Sequence, residues 1–339
     1  MFLALWLLQA SHFGTATVAS AQVPATPVAN TEERQRGIDL YRQDKFAEAA
    51  KLLQKFLKKN RSDDEAWYYL GLALVRQPKE LKEASKAFET SLKLRPNFAL
   101  AHAGLAYSLL LREKINDALR KAEDAIRIDP NVLDAHYVRG VALLRMGKRE
   151  EALGEANKAI ELDPQVASPY LLKSQGLVTS VLVPPVSTPD GRAMRTALYR
   201  DAADALEKYL QIAKSSEASR IWGDQLEALR FYVSVQSKKD TEREAIDPSD
   251  ATVKVRIMSK PEPQYTEEAR QNQVVGTVIL RAVLTADGRV THILIIKTLP
   301  NGLTQRAVQA AQRIKFVPAM LNGRPVSMFV QLEYNFNLY

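Results

Sequence analysis

Residues 64–96 read DEAWYYLGLALVRQPKELKEASKAFETSLKLRP, and this stretch decides the fold of the first half of the chain. Its apolar residues recur three and four positions apart in two segments separated near Pro78, which predicts two amphipathic helices. The second helix ends at Pro96, and prolines recur 34 residues apart at Pro130 and Pro164. This fixed period predicts that residues 30–164 are an internal repeat of helix pairs, because one pair cannot bury its apolar face alone.

The pattern resembles the tetratricopeptide repeat. Its signature positions hold Trp67, Leu70, Gly71, Ala84, Phe88 and Pro96. Small residues recur at matching places in the other units and let paired helices approach closely: Gly37, Gly71, Ala106 and Gly140 on first helices, and Ala49, Ala84, Ala118 and Ala152 on second helices. The resemblance implies an all-α solenoid with units at residues 30–63, 64–98, 99–132 and 133–166.

The helical pattern continues past the fourth unit. Residues 167–176 and 194–214 predict the two helices of a fifth unit at 167–214, interrupted by a proline-containing loop at 177–192. In that loop Val181, Leu182 and Val183 are expected to fold back on the solenoid, with contact to a partner as the alternative. Residues 218–236 predict a capping helix, so the solenoid spans 30–236 and a polar linker follows at 237–252.

The N-terminus resembles an export signal. An apolar run at residues 2–8 is too short to span a bilayer, and Ala19-Ser20-Ala21 is a small-x-small cleavage site. Residues 1–21 are therefore predicted to be a signal peptide, with a periplasmic mature chain that starts near Gln22. No Lys or Arg precedes the apolar run, which leaves open a true start codon further upstream. The alternative to cleavage is an uncleaved anchor in the inner membrane, facing the periplasm.

The sequence contains no recognisable catalytic or metal-binding constellation. Cysteine is absent, and His102 and His136 occupy the same repeat position on neighbouring units, so they are not expected to converge on a metal. His292 lies in a predicted strand without a second histidine nearby. No nucleophile elbow, phosphate loop or dinucleotide fingerprint is present, which predicts a protein that is not an enzyme and has no cofactor.

The periodicity changes after residue 252 from helical to strand-like. Val278, Leu280, Ala282 and Leu284 alternate with outward positions, and the turn Asp287-Gly288 leads to a second strand at 290–296. One helical face and one final strand follow, with core positions at Leu303, Ala307, Val308, Ala311 and Ile314, then at Met328, Val330, Leu332, Tyr334 and Phe336. Strand, strand, helix, strand predicts a small α+β domain at 253–339, with its helix on one face of the sheet.

This segment resembles the C-terminal domain of the TonB energy-transducer family. The matching features, in order, are Pro261, Pro263, Tyr265, Glu267-Glu268-Ala269-Arg270, Gly276-Thr277-Val278, Asp287-Gly288-Arg289-Val290, Leu303, Ala307, Lys315-Phe316, Pro318-Ala319, Gly323 and Pro325-Val326. The resemblance implies that an extended peptide, in the family a segment of an outer-membrane receptor, adds to the sheet as a strand. The residues it implies for peptide binding are Pro263, Gln264, Tyr265, Phe329, Gln331 and Glu333.

Two alternatives accompany this resemblance. Tyr265 is equally expected to cap the core, and Thr266 stands where the family usually has a second proline. A divergent energy transducer in TonB-dependent transport is the alternative to an adaptor without catalysis. Transducers need a membrane helix and a long proline-rich spacer, whereas the 237–252 linker reaches about 55 Å at ~3.5 Å per residue, so the adaptor is favoured.

The first helices of the repeats predict a ligand groove lined by Tyr68, Leu72, Arg76, Tyr107, Leu110, Tyr137, Val141 and Arg145. Tyrosine and arginine often dominate binding energy. The Lys and Asn positions of a carboxylate clamp are absent, so the groove is expected to accept a helix or an extended segment. Packing between repeats is the alternative role for these side chains.

Charge agrees with a binding function. Of the net charge of +8, residues 253–339 hold eleven Lys or Arg against five Asp or Glu. A basic surface attracts acidic partners. Nucleic acid is not the expected partner, because the sequence has no basic strand interleaved with aromatic residues. Protein or peptide ligands are the expected partners, with membrane association only through them or through an uncleaved N-terminal segment.

Overall fold

The structure is a computed structural model, and it describes residues 28–181, 189–214, 216–237 and 244–338. The predicted signal peptide at 1–21 and the loop residues Leu182 and Val183 lie outside these ranges. The described chain divides between Pro169 and Tyr170 into two compact units, an N-terminal unit and a C-terminal unit. The helices after residue 170 thus group with the C-terminal half, whereas the repeat pattern alone extends the solenoid to residue 236.

The N-terminal unit is a series of helix pairs, as the repeat pattern predicts. Consecutive helices pack on each other, and first helices of successive pairs also pack together. The pairs are α1 (Val28–Arg42) with α2 (Phe46–Lys59), α3 (Asp64–Val75) with α4 (Leu81–Leu94), α5 (Ala99–Leu111) with α6 (Ile115–Ile128), and α7 (Leu133–Arg145) with α8 (Arg149–Leu162). At the start of α3, the Asp63 carboxylate accepts from the N–H of Ala66 at 2.8 Å, a side-chain N-cap.

Phe88 on α4 requires small residues on the two first helices that it packs against. Its ring lies between Gly71 on α3 and Gly104 on α5. A Cβ at Gly71 would lie 2.7 Å from a ring carbon, and a Cβ at Gly104 would lie 2.4 Å from one. Neither distance is sterically possible, so the two glycines let α4 pack against consecutive first helices.

An aromatic residue near the start of three first helices closes the preceding turn. In three units its ring N–H donates to the carbonyl six residues earlier: Trp67 to Arg61 at 2.9 Å, His102 to Pro96 at 2.9 Å and His136 to Pro130 at 2.8 Å. The bond satisfies a turn carbonyl that the helices leave unpaired. The equivalent histidines therefore have a structural role in their own units.

The C-terminal unit begins with three helices. They are α9 (Ser168–Ser180), whose first two residues precede the division, α10 (Pro189–Ala213) and α11 (Ser216–Ser237). The sequence places the end of the first at 176 and the start of the second at 194, so both helices are longer than the pattern indicates. Pro189 fits the first turn of α10, because the N–H that proline lacks has no helical partner there.

A small α+β domain follows, and it confirms the predicted order of strand, strand, helix and strand. Its elements are β1 (Arg256–Ser259), α12 (Glu267–Gln271), β2 (Gly276–Leu284), β3 (Val290–Lys297), α13 (Leu303–Ala311), β4 (Lys315–Val317), β5 (Ala319–Leu321), β6 (Arg324–Val326) and β7 (Met328–Phe336). The main sheet is antiparallel with the order β3-β2-β7, and β1–β4 and β5–β6 form separate ribbons. Gly288, at φ +86°, supplies the left-handed turn between β2 and β3.

The core of this domain lies between the sheet and α13. The predicted inward residues of β2 are fully buried, and Leu332, Tyr334 and Phe336 of β7 face the same core. Burial raises the pKa of Tyr334 to about 12. The alternation read from the sequence is therefore the alternation of the sheet.

The opposite face of the sheet is covered at one end by α10 and α11. Phe329 of β7 lies 5.2 Å from Tyr232 of α11, which stacks on Tyr199 of α10 at 5.1 Å. Arg281 of β2 lies over the Phe329 ring at 5.3 Å. These two helices thus complete a second layer of core, whereas the sequence assigns the first to a fifth repeat unit and the second to solenoid capping.

The segment predicted as a linker also packs on the sheet where the structure describes it, from residue 244. Ile246 forms a small core cluster with Ala319 and Met328. Asp247 is buried, and its carboxylate lies 3.6 Å from the Arg281 guanidinium. Residues 244–247 are therefore part of the folded domain rather than a free tether.

Candidate functional site

Strand β7 lies at one edge of the three-stranded sheet. Along an edge strand, alternate residues direct their N–H and C=O groups away from the sheet. Two contacts identify these residues: the N–H of Phe329 donates to the Ile246 carbonyl at 3.0 Å, and the Glu333 carbonyl accepts from the Lys260 ammonium at 2.7 Å. By the two-residue period, Gln331 and Asn335 project their main-chain groups the same way.

The chain itself occupies the first part of this edge. Ile246 pairs in parallel with Met328, and its N–H donates to the Ser327 carbonyl at 3.0 Å. From Gln331 to Asn335, the Lys260 side chain is the one group among the described residues that reaches the outward main chain. The section without a main-chain partner is roughly 17 Å long at ~3.4 Å per residue.

The opposite edge, β3, is closed by a side chain. The Gln225 amide on α11 donates to the Ile293 carbonyl at 3.0 Å and accepts from the N–H of Ile295 at 2.9 Å. It makes the two hydrogen bonds that a neighbouring strand would make. The Tyr232 hydroxyl adds a bond to the His292 carbonyl at 3.1 Å. Of the two sheet edges, β7 is the one left open.

Three of the predicted peptide-binding residues lie on β7, and they differ in exposure. Gln331 and Glu333 are exposed, and their side chains bond to each other at 2.9 Å. Phe329 is 3 % exposed, because α11 covers its ring, and its N–H is already bonded to Ile246. Phe329 therefore supports the edge from below and is not a ligand contact in this conformation.

The other three precede α12, and Tyr265 packs on the core. Its hydroxyl donates to the Val274 carbonyl at 2.9 Å, and its ring meets Phe336 edge-on at 5.4 Å. These contacts are those of a core cap, the alternative stated for this residue. Gln264 is exposed and Pro263 is half-buried. The residue of this segment that bonds to the outward main chain of β7 is Lys260, which also lies 4.6 Å from the Tyr334 ring.

The predicted repeat groove is mostly interior. Six of its eight residues are at most 3 % exposed: Tyr68, Leu72, Tyr107, Leu110, Tyr137 and Val141. Buried side chains cannot touch a ligand unless their neighbours move. Arg76, over the Phe46 ring at 5.0 Å, and Arg145, ion-paired with Glu113, keep partial exposure. The groove on the first helices stays a prediction that rests on these two arginines.

Two histidines have shifted pKa values with opposite signs. Burial lowers the pKa of His292, which stacks on Phe231 at 3.7 Å. Burial acts the same way on His136, but its bonds to Glu155 and to the Pro130 carbonyl outweigh burial and raise its pKa.

No group of three or more potential metal ligands occurs within the described ranges, nor does any described helix have the length and apolarity to span a membrane.

Sequence reasoning missed the residues that define the edge. Ile246 and Asp247 lie in a polar segment without periodicity, and Gln225 lies about 70 positions from the strand it caps. Lys260 is an ordinary lysine between two prolines and a strand. The one available signal was the apolar Ile246 within an otherwise polar run.

Family models match both halves of the chain. The model described as Gram-negative bacterial TonB protein C-terminal matches residues 261–338. Tetratricopeptide repeat models match residues 34–97, 79–131 and 133–166. Both families are scaffold or interaction folds. No curated protein matches the chain.

Solved structures of tetratricopeptide proteins match part of the chain. MamA from Desulfovibrio magneticus is 22% identical over 57% of this chain and 99% of that chain, with a TM-score of 0.42. A thermophilic TPR protein from Thermus thermophilus is 17% identical over 57% and 97%, with a TM-score of 0.46. YrrB, described as a TPR protein with an unusual peptide-binding site, is 20% identical over 56% and 89%, with a TM-score of 0.38. The chain thus carries tetratricopeptide repeats followed by a C-terminal domain of the TonB type.

Proposed function

We propose that this protein is a periplasmic adaptor without catalytic activity, whose C-terminal sheet binds an extended peptide as an added strand along β7. The observation that carries the proposal is the open section of β7 from Gln331 to Asn335. The other edge of the sheet, β3, is closed by Gln225. An added strand pairs its main chain with such a section and takes its selectivity from alternate side chains.

The affinity would come mainly from main-chain hydrogen bonds. Gln331, Glu333 and Asn335 each offer an outward N–H and C=O, and each bond contributes about 0.5–1.5 kcal/mol net. Their side chains are exposed and polar, so they favour a peptide with polar residues at the facing positions. The Lys260 ammonium must leave the Glu333 carbonyl before a peptide N–H takes its place. Lys260→Met is therefore expected to tighten peptide binding.

The partner class is a protein segment without regular structure. A segment of an outer-membrane receptor fits this class by analogy with the TonB family. The periplasmic location rests on the apolar run and the Ala19-Ser20-Ala21 site near the N-terminus. N-terminal sequencing of the protein purified from its own cells is expected to find a chain that starts near Gln22, and an intact Met1 would contradict cleavage.

A proline scan of the edge tests strand addition. Peptides are first selected on the full-length protein from a displayed random library, and their affinities are measured by fluorescence anisotropy. Gln331→Pro removes an outward N–H but no bond to β2, because the Gln331 N–H points away from β2. Proline is tolerated at such a position on the solvent side of an edge strand. We expect about tenfold weaker binding. Gln331→Thr keeps the N–H and is the matched control, with affinity within about threefold of the original.

Two outcomes would contradict the proposal. One is a set of selected peptides whose affinity is the same for Gln331→Pro and Gln331→Thr. The other is hydrogen exchange in which the bound peptide protects amides elsewhere and leaves those of Gln331 to Asn335 unprotected. Circular dichroism of both variants establishes that the sheet has folded.

A further inference from the structure

A furrow of about 420 Å³ lies on the N-terminal unit, between the second helices of consecutive repeats. Helices α4 and α6 form its walls, and α5 forms its floor. It is lined by Lys82, Ser85, Lys86, Glu89, Leu105, Leu109, Arg112, Lys114, Asp117, Arg120 and Lys121. It is distinct from the groove predicted on the first helices, because it opens between second helices.

The lining is strongly basic, with six cations against two acids. Three of the cations already have carboxylate partners: Lys86 with Glu83, Arg120 with Asp117, and Lys121 with Asp124. Lys82, Arg112 and Lys114 have no ion pair to any described residue. The lining also holds Glu89, which has no ion pair to a described residue either, so these three cations outnumber the unpaired acid by two.

Arg112 is held in place before any ligand binds. Its Nη1 donates to the Ser85 hydroxyl at 2.9 Å. Ser85 is buried, donates to the Leu81 carbonyl at 3.0 Å, and lies 3.0 Å from the Ser108 hydroxyl. This buried pair of serines joins α4 to α5 and fixes the guanidinium at the furrow. A fixed guanidinium loses less entropy when it binds a carboxylate than a free one does.

The floor is apolar. Leu105 is 4 % exposed and Leu109 is 8 % exposed, and both line the furrow between the charged walls. A polyanion without apolar groups would contact the walls and leave the floor leucines exposed to water. A peptide that carries an apolar side chain among acidic residues would use both.

We propose that this furrow binds an acidic peptide segment, with carboxylates at Lys82, Arg112 and Lys114 and one apolar side chain against Leu109, the more exposed of the two floor leucines. The inference goes beyond strand addition at β7, because the other half of the chain carries it. Two ligands could then be held by one molecule, an acidic segment on the repeats and an extended segment on the sheet.

The test favours the furrow by weakening strand addition at the other surface. A random peptide library is displayed to the full-length Gln331→Pro protein, and the selected peptides are measured against two double variants. Lys82→Glu with Lys114→Glu reverses two furrow charges. Lys51→Glu with Lys58→Glu reverses two exposed charges on α2 and is the matched control.

We expect selected peptides that combine Asp or Glu with an aliphatic or aromatic residue. They should bind the Lys82/Lys114 variant at least about tenfold more weakly than the control, and replacing their apolar residue with serine should also weaken binding. Lys82 and Lys114 stand at the N-terminal turns of α4 and α6, where glutamate is favoured over lysine. The furrow variant should therefore keep its folded circular dichroism and melting temperature.

Three results would overturn the inference. The first is the absence of acidic sequences among the selected peptides, and the second is equal affinity for both double variants. The third is a set of acidic peptides whose affinity does not change when their apolar residue is replaced with serine. The last would indicate nonspecific polyanion binding. Because the compared double variants differ only in the repeat half, each result leaves strand addition to be judged by its own proline scan.

Discussion

Replacing Asp247 with asparagine is expected to destabilise the C-terminal unit by about 3–5 kcal/mol, the cost of breaking a buried ion pair from one side. The Asp247 side chain is 6% exposed and the Arg281 side chain 14% exposed, so water screens the pair weakly. Burial lowers the pKa of the nearby Arg195, the Arg281 charge lowers it further, and the Asp247 charge opposes both. The carboxylate therefore stabilises two buried arginines from two different elements.

The expected loss converts into a large change in melting temperature. For a unit of this size each kcal/mol shifts the melting temperature by about 2–4 °C, so Asp247→Asn should lower it by roughly 6–20 °C. Circular dichroism melts and urea unfolding of the full-length protein measure the change. Asp250→Asn, at an exposed position three residues away, is the control and should cost about 0.5 kcal/mol or less.

A second substitution separates charge from packing. If Asp247 acts by compensating positive charge, then Arg281→Met in the Asp247→Asn background should recover part of the loss, because it removes one of the two facing cations. An Asp247→Asn protein that melts within about 1 °C of the original would refute the reasoning. So would equal losses for Asp247→Asn and Asp250→Asn. The first result would mean that the buried carboxylate is not what holds residues 244–247 on the sheet.

Other predictions concern the closed edge and the two histidines. Gln225→Leu strands the Ile293 carbonyl and the Ile295 N–H, so unfolding experiments should show a loss of about 2–4 kcal/mol and light scattering should show more self-association through β3; unchanged values for both would exclude the strand-capping role. His292 has a lowered pKa, so its contribution is present above the ordinary value near 6.5 and is lost as pH falls through the folded pKa. The free energy of unfolding of the C-terminal unit, measured with urea, should fall as the pH is lowered. His292→Asn should reduce that pH dependence. His136 has a raised pKa, so its contribution is complete below pH 6.5 and is lost as pH rises through the folded pKa. The free energy of unfolding of the repeats should fall as the pH is raised. The same fall in the His136→Gln variant would contradict this assignment.

The sequence by itself determined the helix pairs, the change of period after residue 252 and the strands of the small domain. These features are local, because a helix or strand that buries one face repeats its apolar residues every 3.6 or 2 positions. Phe88 and Gly71, or Val278 and Leu280, can be read from spacing alone. The aromatic positions that predict a groove were read correctly as periodic, but periodicity does not distinguish a buried face from an open one.

Only the tertiary structure decided which surfaces are available. The β3 edge is closed because Gln225 reaches it from α11, and the β7 edge is shortened because Ile246 pairs beside Met328. The basic furrow exists because α4 and α6 stand side by side over Leu105 and Leu109. Each depends on contacts between residues far apart in the chain, and the pattern within any one element carries no information about its neighbours in space.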